Sequence, residues 1–197
     1  MNQDLLKQAI NLFDTDEKWN SLLELIYNKE HLKNYYWNIF QSVMNEKFAK
    51  DDLVEGWSYW SENPKQYRWF LTEFGRESCY ILFSEGRHIT LWANSHHCNL
   101  DIIKNSLNSE KYSVLSNFLD RIDLVGNHTQ WELFRESGNF KFGSSFDHYF
   151  PNDDRLSWFA GNRATEFVNQ ISEKINRLRK DPTMTALLKE INVLGKL

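Results

Sequence analysis

Three consecutive segments, Gln66–Phe74, Ser78–Ser84 and His88–Asn94, are rich in aromatic and β-branched residues and are joined by only three residues each. In the first, Tyr67, Trp69 and Leu71 alternate against Arg68, Phe70 and Thr72. Alternation of this period belongs to strands. Breaks as short as Gly75-Arg76-Glu77 and Glu85-Gly86-Arg87 permit antiparallel neighbours only, because a parallel pair needs a crossover of a dozen or more residues. The glycine in each break supplies the positive φ that tight turns use. These residues predict a three-stranded meander. Two later segments, 128–136 and 139–146, flank Ser137-Gly138 and predict a hairpin, for about five strands in all.

Both ends of the chain carry helical periodicity instead. Leu5, Leu6, Ala9, Ile10 and Phe13 mark one stripe, and Trp19, Leu22, Leu23 and Ile26 a second. A third runs through Leu32, Tyr35, Tyr36, Ile39, Phe40, Val43 and Met44. Short amphipathic helices are marginal alone in water, so each stripe requires something to pack on. Between the strand groups, Leu100–Leu107 and Ser109–Asp120 read as helical. After Asp153-Asp154, Trp158, Phe159, Phe167, Val168, Ile171, Ile175 and Leu178 form one long apolar face. Asp181-Pro182 ends it, and Thr183–Val193 forms an amphipathic tail. The expected fold is α+β: an antiparallel sheet covered by N-terminal and C-terminal helices. With 197 residues and no linker or repeat, one domain is expected, made of a helical part over 1–50, a sheet with inserted helices over 57–146 and C-terminal helices over 153–197.

The charge balance narrows function. The net charge is −4, which disfavours a protein that coats nucleic acid. Basic residues gather after Arg163: Lys174, Arg177, Arg179 and Lys180 lie on one predicted helix, interleaved with Glu166 and Glu173. The two cysteines, Cys79 and Cys98, form no C-x-x-C pair, which fits a reducing compartment. No signal peptide opens the chain and no apolar run approaches the ~20 residues of a membrane span, so a cytoplasmic location is expected. The frequency of Asn points to an AT-rich bacterial or phage genome.

Catalytic patterns are incomplete. His96, His97 and Cys98 follow a strand that His88 begins, but a second spaced pair for zinc is missing, and no cofactor or metal is expected. A metal-dependent nuclease would set carboxylates beside a lysine to hold Mg²⁺ and orient water. The nearest match, Glu85-Gly86-Arg87, falls in a turn and substitutes arginine, leaving Glu73 and Glu132 as further carboxylates. Ser144, Ser145, Asp147 and His148 are adjacent, but strand neighbours point to opposite faces and do not converge.

The most unusual stretch is Gly56-Trp57-Ser58-Tyr59-Trp60, followed by Tyr67 and Trp69. The chain holds 8 Trp, 14 Phe and 8 Tyr, more rings than a small core ordinarily uses. If the stretch is extended, Trp57 and Tyr59 share one side and Trp60 takes the other. Trp and Tyr dominate interface hot spots. The sequence therefore points to a non-catalytic protein-binding chain of the inhibitor, immunity or defence-accessory kind, with Trp57, Tyr59, Trp60, Tyr67 and Trp69 as its binding surface. Aromatic anchors in an acidic rim would favour a basic partner. The alternatives are a nuclease-like enzyme and a small-molecule or nucleotide sensor that stacks its ligand on Trp57, Trp60 or Trp69.

Overall fold

The computed structural model describes residues 3–84, 88–117, 120–121, 130–135, 140 and 153–197. Helices α1 (Gln3–Leu12), α2 (Asp16–Tyr27) and α3 (Lys29–Glu46) come first, and a π turn, Lys47–Asp51, extends α3. Strands β1 (Trp57–Asn63), β2 (Gln66–Leu71), β3 (Tyr80–Ser84) and β4 (His88–Asn94) follow. Then come α4 (Leu100–Ser106), a 3₁₀ segment (Glu110–Asn117), β5 (Asp120–Arg121) and β6 (Gln130–Arg135). The chain closes with α5 (Asp153–Asn162), α6 (Ala164–Arg179) and α7 (Pro182–Leu194). The class is α+β, as the periodicities imply.

The expected sheet needs correcting. Its centre is a four-stranded antiparallel meander, β1-β2-β3-β4, rather than a three-stranded one; β6 adds to the β4 edge and the two-residue β5 lies outermost. The extra strand is the aromatic stretch itself, paired from Trp57↔Leu71 to Asn63↔Gln66. Its turn is set locally, with Lys65 N–H donating to Asn63 Oδ1 at 2.8 Å. The expected hairpin turn Ser137-Gly138, the second strand of that hairpin apart from Phe140, and the turn at 85–87 lie outside the described residues. Phe140, from that segment, is buried against Phe83 and Phe167. Gly75 adopts φ 78°, the left-handed conformation expected between β2 and β3.

One hydrophobic cluster joins the layers. From the sheet come Tyr67, Trp69 and Leu71, Ile81 and Phe83, and Ile89, Leu91 and Ala93. They meet Trp37, Phe40 and Met44 of α3, and Phe167, Val168, Ile171 and Ile175 of α6. Phe40 is a hub, with its ring 5.5 Å from Trp37, 5.7 Å from Tyr67 and 4.9 Å from Phe167. The buried face of α3 therefore differs from the expected stripe. Trp37 turns inward, while Leu32 and Tyr35 remain exposed. The reason is the partners: the sheet and α6 close over residues 37, 40 and 44, and α5 lies along α3 at Tyr36, so residues 32 and 35 are left outside. The long apolar face after residue 153 is likewise two helices, broken at Arg163, with Trp158 left exposed. The α7 face is as expected: Met184, Leu187, Leu188 and Ile191 are buried. Asp181 caps that helix, accepting from the N–H groups of Thr183 and Met184.

Candidate functional site

The alternation read from the sequence holds in β1: Trp57 and Tyr59 face the core helices and Trp60 the opposite side. The consequence for the proposed binding rings is a correction. Trp57, Tyr67 and Trp69 are buried members of the core. The Tyr67 hydroxyl donates to the Pro64 carbonyl at 2.7 Å. Trp69 sets its ring against Phe48 at 4.8 Å. Tyr59 stacks between Phe48 and Tyr67, at 5.6 and 6.3 Å, and donates to Asn45 Oδ1 at 2.8 Å. Burial pushes the hydroxyls of Tyr59 and Tyr67 well above the ordinary tyrosine value, so both stay neutral. Four of the five rings are thus consumed by packing, because β1 enters the sheet and must cover α3 and the π turn.

Trp60 alone reaches the other face. The guanidinium groups of Arg68 and Arg76 lie 5.0 and 4.8 Å from its ring. Arg68 also stacks on Tyr80 at 4.7 Å and pairs with Glu62 at 2.9 Å and Glu77 at 3.3 Å. Burial pushes the Tyr80 hydroxyl up to about 12. The cations here are already matched by carboxylates within the chain, which leaves little free charge for a ligand.

His88 and His96 do not converge. His88 begins β4 and His96 follows its end; at about 3.3 Å per residue the strand holds them roughly 20 Å apart. His96, His97 and Cys98 line a small cleft of about 290 Å³ with Glu73, Glu77, Ser78 and Asn192. Glu73 is paired with Lys189 at 2.9 Å. Asn192 is occupied with the backbone of Cys79, accepting from its N–H at 2.7 Å and donating to its carbonyl at 3.3 Å. Burial pushes both thiols up, so neither is a ready nucleophile or ligand. No group of three His, Cys, Asp or Glu side chains suited to a metal occurs among the described residues. Glu85 and the 144–148 cluster lie outside the described residues. A second, open cleft of about 770 Å³ lies between α3 and the α5–α6 junction. Its lining, which includes Ile39, Val43, Thr165 and Gln170, contains no aromatic ring on which a nucleotide would stack.

One cation of the basic helix, Arg179, is spent inside the fold, while Arg163, Arg177 and Lys180 stay exposed. Arg179 is buried and lies 3.6 Å from Asp52 Oδ2. It donates to the Asp52 carbonyl at 3.2 Å and to Asn176 Oδ1 at 2.6 Å. The Asp52 carboxylate also accepts from Ser172 at 2.7 Å and from Asn176, with Lys180 at 3.5 Å. Burial pushes the Asp52 carboxyl up. The hydrogen bonds from Asn176 and Ser172, with the charges of Arg179 and Lys180, outweigh that and hold it below the ordinary value. Burial pushes the Arg179 guanidinium down to about 10, which still leaves it charged at neutral pH. The network ties the π turn to α6.

What the fold leaves open lies elsewhere, on a face that sequence reasoning registered only as a stripe needing cover. Helix α2 contains no buried residue. Trp19 is 53% exposed, Ile26 61% and Tyr27 93%. Leu23 and Leu25 are exposed beside them, as are Ile10 and Leu12 of α1 and Leu32 and Tyr35 of α3. The signal was present in the sequence as Trp19, Leu22, Leu23 and Ile26, spaced three and four apart. The charges around this face are of mixed sign, with Asp14, Asp16, Glu17 and Glu24 beside Lys18, Lys29 and Lys33, not the acidic rim expected. No helix among the described residues is long and apolar enough to cross a membrane. No family model, curated protein or solved structure matches the chain.

Proposed function

We propose that this chain is a non-catalytic protein-binding protein, of the inhibitor, immunity or accessory kind, whose docking face is the apolar side of α2 with the exposed residues beside it. The observation that carries the reading is a well-started helix in which, among the described residues, no side chain of the apolar stripe is buried and only Leu22 is partly covered. Thr15 caps α2, its side chain accepting from Lys18 N–H at 3.3 Å, yet α2 meets α3 only lightly. Twelve residues make a marginal helix in water. Contact with a partner supplies the burial that the rest of this chain does not. A tryptophan and a tyrosine on such a face are the side chains most enriched at binding hot spots, and a patch this apolar marks an interaction surface.

Capture experiments with the immobilised chain and a lysate of its own host test the reading. The wild type is expected to retain a protein near stoichiometrically. Leu23→Glu with Ile26→Glu is expected to lose it and Trp60→Ala to keep it, with all three proteins showing the same far-ultraviolet circular dichroism. Equal capture by all three, or by none, overturns the proposal.

A further inference from the structure

We infer that the free edge of β1 is a second docking site, which takes an extended polypeptide segment of a partner protein as a further strand of the sheet. The site is separate from α2 and does not depend on it. β1 ends the strand order, and its ladder to β2 fixes which backbone groups are spent. Thr72 N–H donates to the Gly56 carbonyl at 2.9 Å, one step beyond the pair Trp57↔Leu71. Directly opposite residues exchange such bonds at alternate positions. Ser58 and Trp60 therefore turn their N–H and C=O groups toward Phe70 and Arg68, and Tyr59 and Ser61 turn theirs away from β2. No backbone group among the described residues meets those of Tyr59 and Ser61 on that side. Donors and acceptors thus stand in a row at the spacing of a strand, which is what an incoming main chain pairs with.

The edge lacks the devices that ordinarily blunt one. β1 holds no proline and no lysine. Its one charge, Glu62, is drawn back toward β2 by Arg68 at 2.9 Å, and its irregularity comes only at the end, between Ser61 and Asn63. Helix α3 runs beside the strand in step with it. Asn45 accepts from the Tyr59 hydroxyl at 2.8 Å and Gln41 donates to Ser61 Oγ at 2.7 Å. Four helical residues rise about 6 Å and two strand residues about 6.6 Å, so the two elements stay level. Asn34 and Asn38, both exposed, continue that face of α3 at the same spacing. A stripe of carboxamides therefore flanks the edge, and a carboxamide both donates and accepts.

The chemistry of the segment follows from the two sides of the strand. A residue opposite Trp60 falls at a non-hydrogen-bonded position, where cross-strand side chains come closest. An apolar or β-branched side chain there packs on the half-buried ring. Residues opposite Tyr59 and Ser61 point to the α3 side, where the carboxamides favour hydroxyl and amide side chains. The order is thus polar–apolar–polar, with no proline opposite Tyr59 or Ser61. Arg68 and Arg76 are matched by Glu62 and Glu77, so a charged segment finds no counter-ion here.

The full chain is used to select from a displayed library of random decapeptides, and the most enriched peptide is synthesised and titrated by fluorescence polarisation. Ser61→Pro removes an outward N–H and leaves the ladder to β2 whole, whereas Ser61→Ala removes only the hydroxyl. The wild type is expected to enrich polar–apolar–polar peptides. Ser61→Ala is expected to bind the synthetic peptide nearly as well, and Ser61→Pro at least tenfold more weakly, with unchanged circular dichroism. N-methylation of alternate peptide residues tests main-chain pairing on the wild type alone, so the outcome stands even if Ser61→Pro fails to fold. Methyl groups in one phase are expected to abolish binding, and in the other phase to leave it intact. No enrichment, the same effect from both phases, or full binding by a folded Ser61→Pro overturns the site. Sedimentation equilibrium of the same proteins covers the other occupant: a wild-type dimer that Ser61→Pro dissolves would put a second copy on the edge and overturn the partner segment.

Discussion

Replacing Asp52 by alanine removes the carboxylate that faces Arg179, Ser172, Asn176 and Lys180, and leaves a buried guanidinium without its counter-ion. Arg179 retains two acceptors, the backbone carbonyl of residue 52 and Asn176 Oδ1, but its Nε has no hydrogen-bond partner. Breaking a buried pair on one side costs about 3–5 kcal/mol. The two remaining acceptors and the proximity of the group to the surface place the expected loss at the low end, about 3 kcal/mol. Burial already lowers the Arg179 guanidinium to about 10 despite the carboxylate beside it, so burying this charge costs more than Asp52 returns. It follows that removing both charges is nearly neutral: Asp52→Ala with Arg179→Met is expected to recover most of the loss. The pH dependence has a definite sign. A carboxyl held below its unfolded value contributes stability that is present above about pH 4 and lost as pH falls through its folded value. The difference between wild type and Asp52→Asn is therefore expected to be constant from pH 7 to 5 and to shrink below pH 4. Urea unfolding followed by tryptophan fluorescence and circular dichroism measures these three variants and the single variant Arg179→Met. A loss under 1 kcal/mol for Asp52→Ala, or a double variant as unstable as the sum of its singles, would refute the account of the pair.

Gly161 packs under Tyr36, where a Cβ would lie 2.1 Å from ring Cδ1 and 2.8 Å from Cβ. Because the obstacle is the base of the ring, Gly161→Ala is expected to cost about 1–3 kcal/mol by overpacking, with partial recovery on adding Tyr36→Ala, read from urea midpoints. Trp69→Ala is expected to cost about 3–5 kcal/mol as a core truncation, and Trp60→Ala about 1 kcal/mol, the scale of its partly exposed cation–π contacts. Similar losses for the two would contradict the assignment of opposite sheet faces. The buried, protonated thiols of Cys79 and Cys98 are expected to resist a disulfide reagent at pH 8 in the folded protein and to react at once in urea. Rapid labelling of the native chain would show either site to be open.

The break at Gly75, which the structure widens from three residues to the eight of 72–79, is still too short for a parallel crossover and left β2 and β3 no choice but antiparallel pairing, and the spacing of Met184, Leu187, Leu188 and Ile191 dictated the inner face of α7, because turn geometry and side-chain period are local properties. The period also placed Trp57 and Tyr59 opposite Trp60. It could not say which side of β1 meets water, since a period is the same whichever face is buried. That was decided by α3, α6 and the π turn, whose apolar faces close over Tyr59, Tyr67 and Trp69. The same limit hid the site. The stripe Trp19–Leu22–Leu23–Ile26 reads like any helix bound for a core, and only the packing of the other helices, which fill the sheet's inner face without α2, leaves Trp19, Leu23 and Ile26 exposed. Likewise Arg179 reads as one cation in a basic run. Its charge is drawn inside because Asp52, 127 residues earlier, is delivered beside it by the end of α3.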